Sequence, residues 1–323
     1  MTETTTPELV DGVSARLVRR PWPAHPIRRD IEVSFECFPP NGAKAATGLA
    51  GCIRDLERYD PAFLSITYGA GGSTQTKTLA TLALLSESTG LKLAGHLTCV
   101  SKTADEVQAV VDAYAAGGIH RIVALRGDAP EGATNGGAVP GGYASAAELV
   151  AGIRSRPDGD TFDISVAGYP EVHPRARCAQ TDIESLKQKV DAGADRVITQ
   201  YCFDTGTFIE FFQRARAAGI DVPIVPGIMP VTNFAGIARF SERCGATIPD
   251  WMPELLGDLD DTPELQRLVA ATVAAEQCRE LAEFGINQFH FYTMNKPELT
   301  AAVCRILGVK PKATAGTTRS ATG

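Results

Sequence analysis

The 323-residue sequence predicts an α/β fold, a (β/α)8 TIM barrel, and three observations carry that reading. Eight short apolar or β-branched runs recur along the chain, centred near residues 35, 66, 95, 123, 165, 198, 224 and 290. Most gaps between them are roughly 28–42 residues, the length of a β–loop–α–loop unit. Five of the runs follow a glycine that closes a helix-like segment: Gly90, Gly118, Gly193, Gly219 and Gly285. A doubly wound sheet is the competing architecture. It lacks support, because no GxGxxG follows any run and the P-loop pattern is absent; GAGGST at Gly69–Thr74 reads only as a glycine-rich turn.

The elements follow in order. Residues 1–30 form an N-terminal extension, with Pro7–Arg20 expected as a short amphipathic helix across the barrel's bottom. The barrel spans 31–310. Its first two strands are Val33–Phe38 and Phe63–Tyr68. The third and fourth are LKLAGHLTCV after Gly90 and IHRIVALRG after Gly118; Thr103-Ala-Asp-Glu106 between them matches a capping box. A glycine-rich loop, 129–142, precedes the fifth strand, Phe162–Ala167, and Thr181-Asp-Ile-Glu184 reads as the next capping box. The sixth and seventh strands lie in ADRVITQYCF and IDVPIVPG, each buried on both faces as in a parallel sheet. The long gap that follows holds Thr247–Leu259, expected as an inserted loop or lid. Thr262-Pro263 then opens a helix over 264–284, ahead of the eighth strand in INQFHFYT. Residues 311–323, rich in Ala, Thr and Gly, are expected to be disordered.

Composition narrows the function classes. With 44% hydrophobic and 21% charged residues the chain is an ordinary globular one, and 31 basic against 38 acidic residues give a net charge of −7. No basic run exists, which argues against a nucleic-acid partner, and no apolar stretch approaches a membrane span. The first 30 residues mix Arg16, Arg19, Arg20, Arg28 and Arg29 with Glu3, Glu8 and Asp11, so no targeting segment is expected. Eight cysteines without a CxxC pair fit buried thiols in a reducing cytoplasm. Five scattered histidines without ligand spacing argue against a metal site.

In a barrel the strands' C-terminal ends build the active site. They offer Glu36, Thr67, His96, Thr98, Arg126-Gly127-Asp128, Tyr169, His173, Gln200 and Tyr292. Glu36 lies in the apolar run VSFECF, where burial should raise its pKa and suit it to general-acid work; an ion pair, with Arg126 for example, is the alternative. Asp128 is a second catalytic candidate or a turn residue. Gln200 can read a heterocycle's edge or sit as a satisfied core amide. Asp182, Ser185 and Lys189 share one face of the fifth helix, opposite Ile183, Leu186 and Val190. That face is either solvated or aimed at the mouth, where it offers a cation for phosphate and a carboxylate for a ribose hydroxyl.

A family resemblance rests on nine ordered motifs: SFECFPP (34–40), SITYGAGG (65–72), HLTC (96–99), IVALRGD (122–128), ISVAGYPEVHP (164–174), KQKVDAGAD (187–195), TQYCFD (199–204), VPGIMPV (225–231) and FHFYT-x-N (289–295). The chain resembles the bacterial methylenetetrahydrofolate reductases over about 32–310. The resemblance implies a flavoprotein: NAD(P)H, NADH by preference, reduces FAD, which passes hydride to 5,10-methylenetetrahydrofolate to give 5-methyltetrahydrofolate, in turn on one flavin face. It implies that Glu36 is the general acid and that Asp128 stabilises the iminium cation beside flavin and pterin. It places Gln200, Phe240 and Lys296 on the substrate, and Thr67, His96, Arg126, Gly127, Asp128, Tyr143, Tyr169, His173, Asp182 and Lys189 on FAD. It leaves the oligomeric state open, since relatives form dimers and tetramers, and a homo-oligomer is one expectation. Ser185, Gln188 and Lys296 depart from the enteric pattern, which has asparagine, arginine and arginine there. Two alternatives stay open: direct NADH-to-folate hydride transfer without flavin, and a non-redox pterin-binding barrel in methyl transfer.

Overall fold

The computed structural model describes residues 30–68, 75–129, 137, 139–231, 233–259 and 261–312. Eight parallel strands close in sequence order, β1 to β8, with β8 pairing back onto β1. The strands are β1 Glu32–Cys37, β2 Leu64–Ile66, β3 Leu93–Thr98, β4 Arg121–Leu125, β5 Asp163–Gly168, β6 Arg196–Tyr201, β7 Ile224–Ile228 and β8 Gln288–Tyr292. Each coincides with an expected run to within a few residues; β2 is shorter than Phe63–Tyr68. The helices between them are α1 Ala43–Glu57, α2 Gln75–Ser88, α3 Ala104–Ala116, α4 Ala146–Arg154, α5 Ala179–Asp191, α6 Thr205–Ala217, α7 Phe234–Cys244, α8 Trp251–Leu256 and α9 Pro263–Phe284, with α10 Pro297–Ile306 after β8.

Local chemistry explains the boundaries. Thr103 caps α3 through a reciprocal bond with Glu106, as the sequence predicts. The capping box expected at Thr181 is displaced. Helix α5 begins three residues earlier with Cys178 as N-cap, and the Thr181 hydroxyl instead accepts the Cys178 N–H at 3.3 Å. Gly118, Gly193, Gly219 and Gly285 adopt positive φ after their helices; Gly90 does not, and its N–H is anchored by Glu57 at 3.0 Å. Residues 247–259 are not the open lid expected from sequence. They carry α8, whose Met252 and Leu256 are fully buried against Met229, Ile237 and Ala270. Burying both side chains holds the segment as packed structure.

The barrel interior is filled near its base by Phe63, Ala94, Val123 and Ile198. Below them Asp163 pairs with Arg121 at 2.6 Å and Arg196 at 2.8 Å, and both guanidiniums lie over the Phe63 ring. Among the described residues that plug fills the end of the barrel opposite the C-terminal mouth. The expected helix at Pro7–Arg20, the GAGGST turn, most of the 129–142 loop and nearly all of the C-terminal tail lie outside the described residues.

Candidate active site

Alternation along β1 points Ser34 and Glu36 into the barrel while Val33, Phe35 and Cys37 pack outward. Glu36 therefore sits at the floor of a cavity of about 220 Å³ that opens at the mouth. His96 from β3 faces it at 3.2 Å and His290 from β8 at 3.7 Å. Behind His290, Nδ1 meets the Ser34 hydroxyl at 2.8 Å. His290 is wholly buried and His96 nearly so.

This arrangement reverses the expected pKa shift. Burial alone pushes the Glu36 carboxyl up, but the charges and hydrogen bonds of His96 and His290 outweigh it and hold its pKa at about 2. Its nearest partners are the two imidazoles rather than the Arg126 of the alternative reading. Burial in turn lowers the His290 pKa against the pull of Glu36. Glu36 and His290 are coupled, each shifting the other toward its charged form. Both imidazole Nε2 atoms face the Glu36 carboxylate, and of the two rings only His96 also lines the cavity.

The cavity walls are largely apolar and aromatic: Phe38, Tyr169, Tyr201, Met229, Phe240 and Tyr292, with the Gln200 side chain among them. Phe240 stacks on Tyr201 at 6.2 Å between centroids, and Tyr201 is itself held by a 2.9 Å bond to Ser241. The Gln200 side-chain Oε1 accepts the Tyr201 backbone N–H at 3.1 Å. Of the residues expected in the site, Glu36, His96, Tyr169, Gln200, Phe240 and Tyr292 meet on this one cavity.

A second group gathers beside the mouth, where β5 runs into α5. The Lys189 amine donates to the Ala167 carbonyl at 2.7 Å, and burial lowers its pKa to about 8. Asp182 accepts the His173 N–H at 3.0 Å, and the His173 ring stands edge-on to Tyr169 at 4.4 Å. Asp128 is largely exposed, with Arg175 at 3.9 Å. The α5 face read from sequence therefore divides: Asp182 and Lys189 turn toward the β5 loop, while Ser185 is exposed and bonds back to Thr181.

The remaining expected residues lie apart from the cavity wall. The Thr67 carbonyl accepts the Thr78 hydroxyl at 2.8 Å. Gly127, at φ 85°, packs where a Cβ would lie within 2.9 Å of Thr98 and Val100, while Arg126 turns its guanidinium to the Gly127 carbonyl at 3.5 Å. Tyr143 sits between helices, its hydroxyl on Gln108 at 2.8 Å and its ring against Gly152. Lys296 is exposed as the N-cap of α10. Sequence reasoning missed Ser34, His290, Phe38 and Asn295. The signal for His290 was the one used for Glu36: a polar side chain inside an apolar strand.

A closed barrel thus carries a carboxylate–imidazole cluster under an aromatic cavity, an arrangement chemically able to move a proton against a flat ligand. Comparison with known proteins supplies the class: residues 24–308 match the methylenetetrahydrofolate reductase family, and the chain belongs to that family. The 5,10-methylenetetrahydrofolate reductase of Escherichia coli strain K12 is 43% identical over 285 residues, 88% of this chain and 93% of that protein. Methylenetetrahydrofolate reductase (NADH) 1 of Arabidopsis thaliana is 37% identical over 85% of this chain and 48% of that protein. A solved structure of an uncharacterized Clostridium thermocellum protein that binds two copies of 5-methyl-5,6,7,8-tetrahydrofolic acid has a TM-score of 0.58 at 14% identity, covering 87% and 96% of the two chains. At that identity the likeness is one of fold. No helix among the described residues is long and apolar enough to cross a membrane.

Proposed function

We propose that this chain is an oxidoreductase that reduces 5,10-methylenetetrahydrofolate to 5-methyltetrahydrofolate at the expense of NADH, with FAD as the hydride carrier. The observation that carries the reading is the Glu36–His96–His290 cluster at the floor of an aromatic cavity, in a chain of this family. The reaction needs one proton and one hydride. A proton delivered to N10 breaks the bond between the methylene carbon and N10 and leaves an N5 iminium cation. Hydride then reduces that carbon to a methyl group, while N10 keeps the proton.

Glu36, the acid nearest the cavity, gives the proton. The imidazoles hold its pKa low, so the carboxyl takes up a proton and relays it as the substrate nitrogen gains basicity. His290, backed by Ser34, restores it. Gln200 fits the donor–acceptor edge of a pterin, and Phe240 offers a face to an aminobenzoyl ring. Asp128 opposes the iminium charge. The aromatic walls exclude water that would hydrolyse the cation.

The residues beside the mouth fit FAD. The Lys189 amine, largely buried, donates to the neutral Ala167 carbonyl and feels the Asp182 carboxylate, and a pyrophosphate would add a direct counter-charge to it. Asp182 fits ribose hydroxyls, and His173, Tyr169, Arg126, Gly127 and Thr67 fit the rest of the dinucleotide; the positions of Tyr143 and Lys296 give them a lesser part. FAD held by these residues would supply hydride transfer between the nicotinamide and the folate.

The test is an anaerobic assay of purified protein with NADH, FAD and methylenetetrahydrofolate, following 5-methyltetrahydrofolate by chromatography. Product formation that requires both NADH and FAD supports the reading. Product without flavin would favour direct hydride transfer, and no product would overturn the reductase.

A further inference from the structure

β8 leaves the barrel through two non-glycine residues in the left-handed region, Met294 at φ 53° and Asn295 at φ 55°. Such a turn is unfavourable for side-chain-bearing residues and persists only where the surroundings hold it. Here the end of β1 holds it. The Thr293 N–H and hydroxyl both reach the Glu36 carbonyl, at 3.2 and 2.6 Å. The Asn295 amide then takes both polar backbone atoms of Phe38: the Phe38 N–H donates to Oδ1 at 2.8 Å, and Nδ2 donates to the Phe38 carbonyl at 3.1 Å. The Asn295 N–H returns to the Thr293 hydroxyl at 3.2 Å. The β1–β8 ladder ends at the pair Glu36 and Tyr292, so one side-chain amide replaces the strand partner that Phe38 lacks.

Phe38 lies two residues beyond Glu36, on the same side of the strand, and lines the same cavity. Its ring is 36% exposed, and Phe240 on that cavity is 37% exposed. Both phenyls are left open where a ligand would enter, and the Phe38 backbone is fixed from two sides. We propose that Phe38 is a specificity-determining wall of the site, stacking on a flat heteroaromatic ligand whose protonatable nitrogen faces Glu36, and that Asn295 is the residue that positions it. The inference rests on the reductase reading and adds to it a selective surface and the clamp that orients it.

Four variants test it: Phe38→Leu, Phe38→Tyr, Asn295→Gly and Asn295→Asp. Glycine adopts the left-handed turn without strain but cannot clamp; aspartate keeps the acceptor for the Phe38 N–H and loses the donor. The readouts are kcat, KM for methylenetetrahydrofolate, the dissociation constant of 5-methyltetrahydrofolate by calorimetry, and Tm. Loss of one stacked ring should raise KM and the dissociation constant about five- to tenfold in Phe38→Leu and Asn295→Gly, with kcat changed less than about threefold. Asn295→Asp should fall between these and wild type, and Phe38→Tyr should retain wild-type affinity. Phe38→Leu binding as wild type does, while wild type both binds and reduces the folate, overturns this inference alone. A drop in Tm for Asn295→Gly with unchanged affinity also overturns it, leaving Asn295 a structural cap. Wild-type protein that neither binds nor reduces the folate overturns the reductase reading and this inference with it.

Discussion

The Tyr292 hydroxyl on β8 donates to the Thr199 carbonyl on β6 at 2.7 Å, reaching across the intervening strand. It can do so because the β7 residue beneath it is Gly227. A Cβ there would lie 2.2 Å from the Thr199 oxygen and 2.5 Å from the Tyr292 ring. The Thr199 hydroxyl in turn accepts the Gly227 N–H at 3.1 Å, where the β6–β7 register shifts between Ile198 and Tyr201. These three residues set the wall beside Gln200.

Gly227→Ala should therefore be severe for a single methyl group. The nearest obstacle is backbone, which cannot rotate away, so overpacking should cost about 2–4 kcal/mol and displace Tyr292. Tyr292→Phe, which only strands the Thr199 carbonyl, should cost about 1–3 kcal/mol. Thermal and urea denaturation rank them. A Gly227→Ala protein with wild-type Tm would show that the strands separate more easily than this packing allows.

Glu36→Gln keeps the shape of the side chain and removes its charge and proton. Loss of general-acid catalysis should lower folate reduction about 10²–10⁴-fold while leaving NADH oxidation by an artificial acceptor nearly intact. Stability carries a second signature. The folded pKa of about 2 lies below the unfolded glutamate value of about 4.3, so the stabilisation is complete above about pH 5 and lost as pH falls from there to about 2. The stability of wild type relative to Glu36→Gln should fall steadily across that window. A difference that stays flat or grows on acidification would mean that the imidazoles do not hold the carboxylate.

The barrel was legible because its signals are local: β-branched runs, helix-closing glycines and a capping box at Thr103 each sit within a few residues. Glu36 was legible for a related reason, as a charge out of place in an apolar strand. Its pKa was not, because the deciding partners lie about 60 and 254 positions away: His96 comes from β3 across the barrel interior, and His290 arrives through closure of β8 onto β1. The Asn295–Phe38 clamp was hidden likewise, since nothing local says that an asparagine after one strand completes another. α8 read as a loop because Pro249 and Pro253 look like breakers, whereas Met252 and Leu256 supply burial that overrides them.

Asp128 and Arg175 should act in opposite directions. The pair is loose and exposed, at 3.9 Å, so it contributes about 0–1 kcal/mol to stability and either residue can change without unfolding the barrel. If the Asp128 charge offsets an iminium cation, Asp128→Asn should slow the folate half-reaction at least about tenfold. Arg175→Ala, which leaves that charge uncompensated, should hold or raise the rate by up to about fivefold. Rapid-mixing measurement of the folate half-reaction decides. A parallel fall in both variants would assign the pair a structural role instead.

Lys189 offers a prediction in which stability and binding pull apart. Its amine is buried against the Ala167 carbonyl, and burial lowers its pKa to about 8, below the unfolded value of about 10.4. Below pH 8 both states carry the proton, and the folded state bears the full desolvation cost. Between about pH 8 and 10.5 the unfolded chain still binds a proton that the folded chain has released, so the cost is relieved as pH rises. Lys189→Met should therefore be more stable than wild type at pH 7 without FAD, by about 1–3 kcal/mol, with the difference closing by about pH 10.5. FAD affinity should move the other way. Lys189→Met should weaken it at least about tenfold, and wild-type affinity should fall as pH passes 8 and the amine loses the charge that faces a pyrophosphate. Denaturation and FAD titration across pH 6–10.5 measure both. A Lys189→Met protein that is less stable at pH 7 and binds FAD as tightly as wild type would show that the amine serves the fold and not the cofactor.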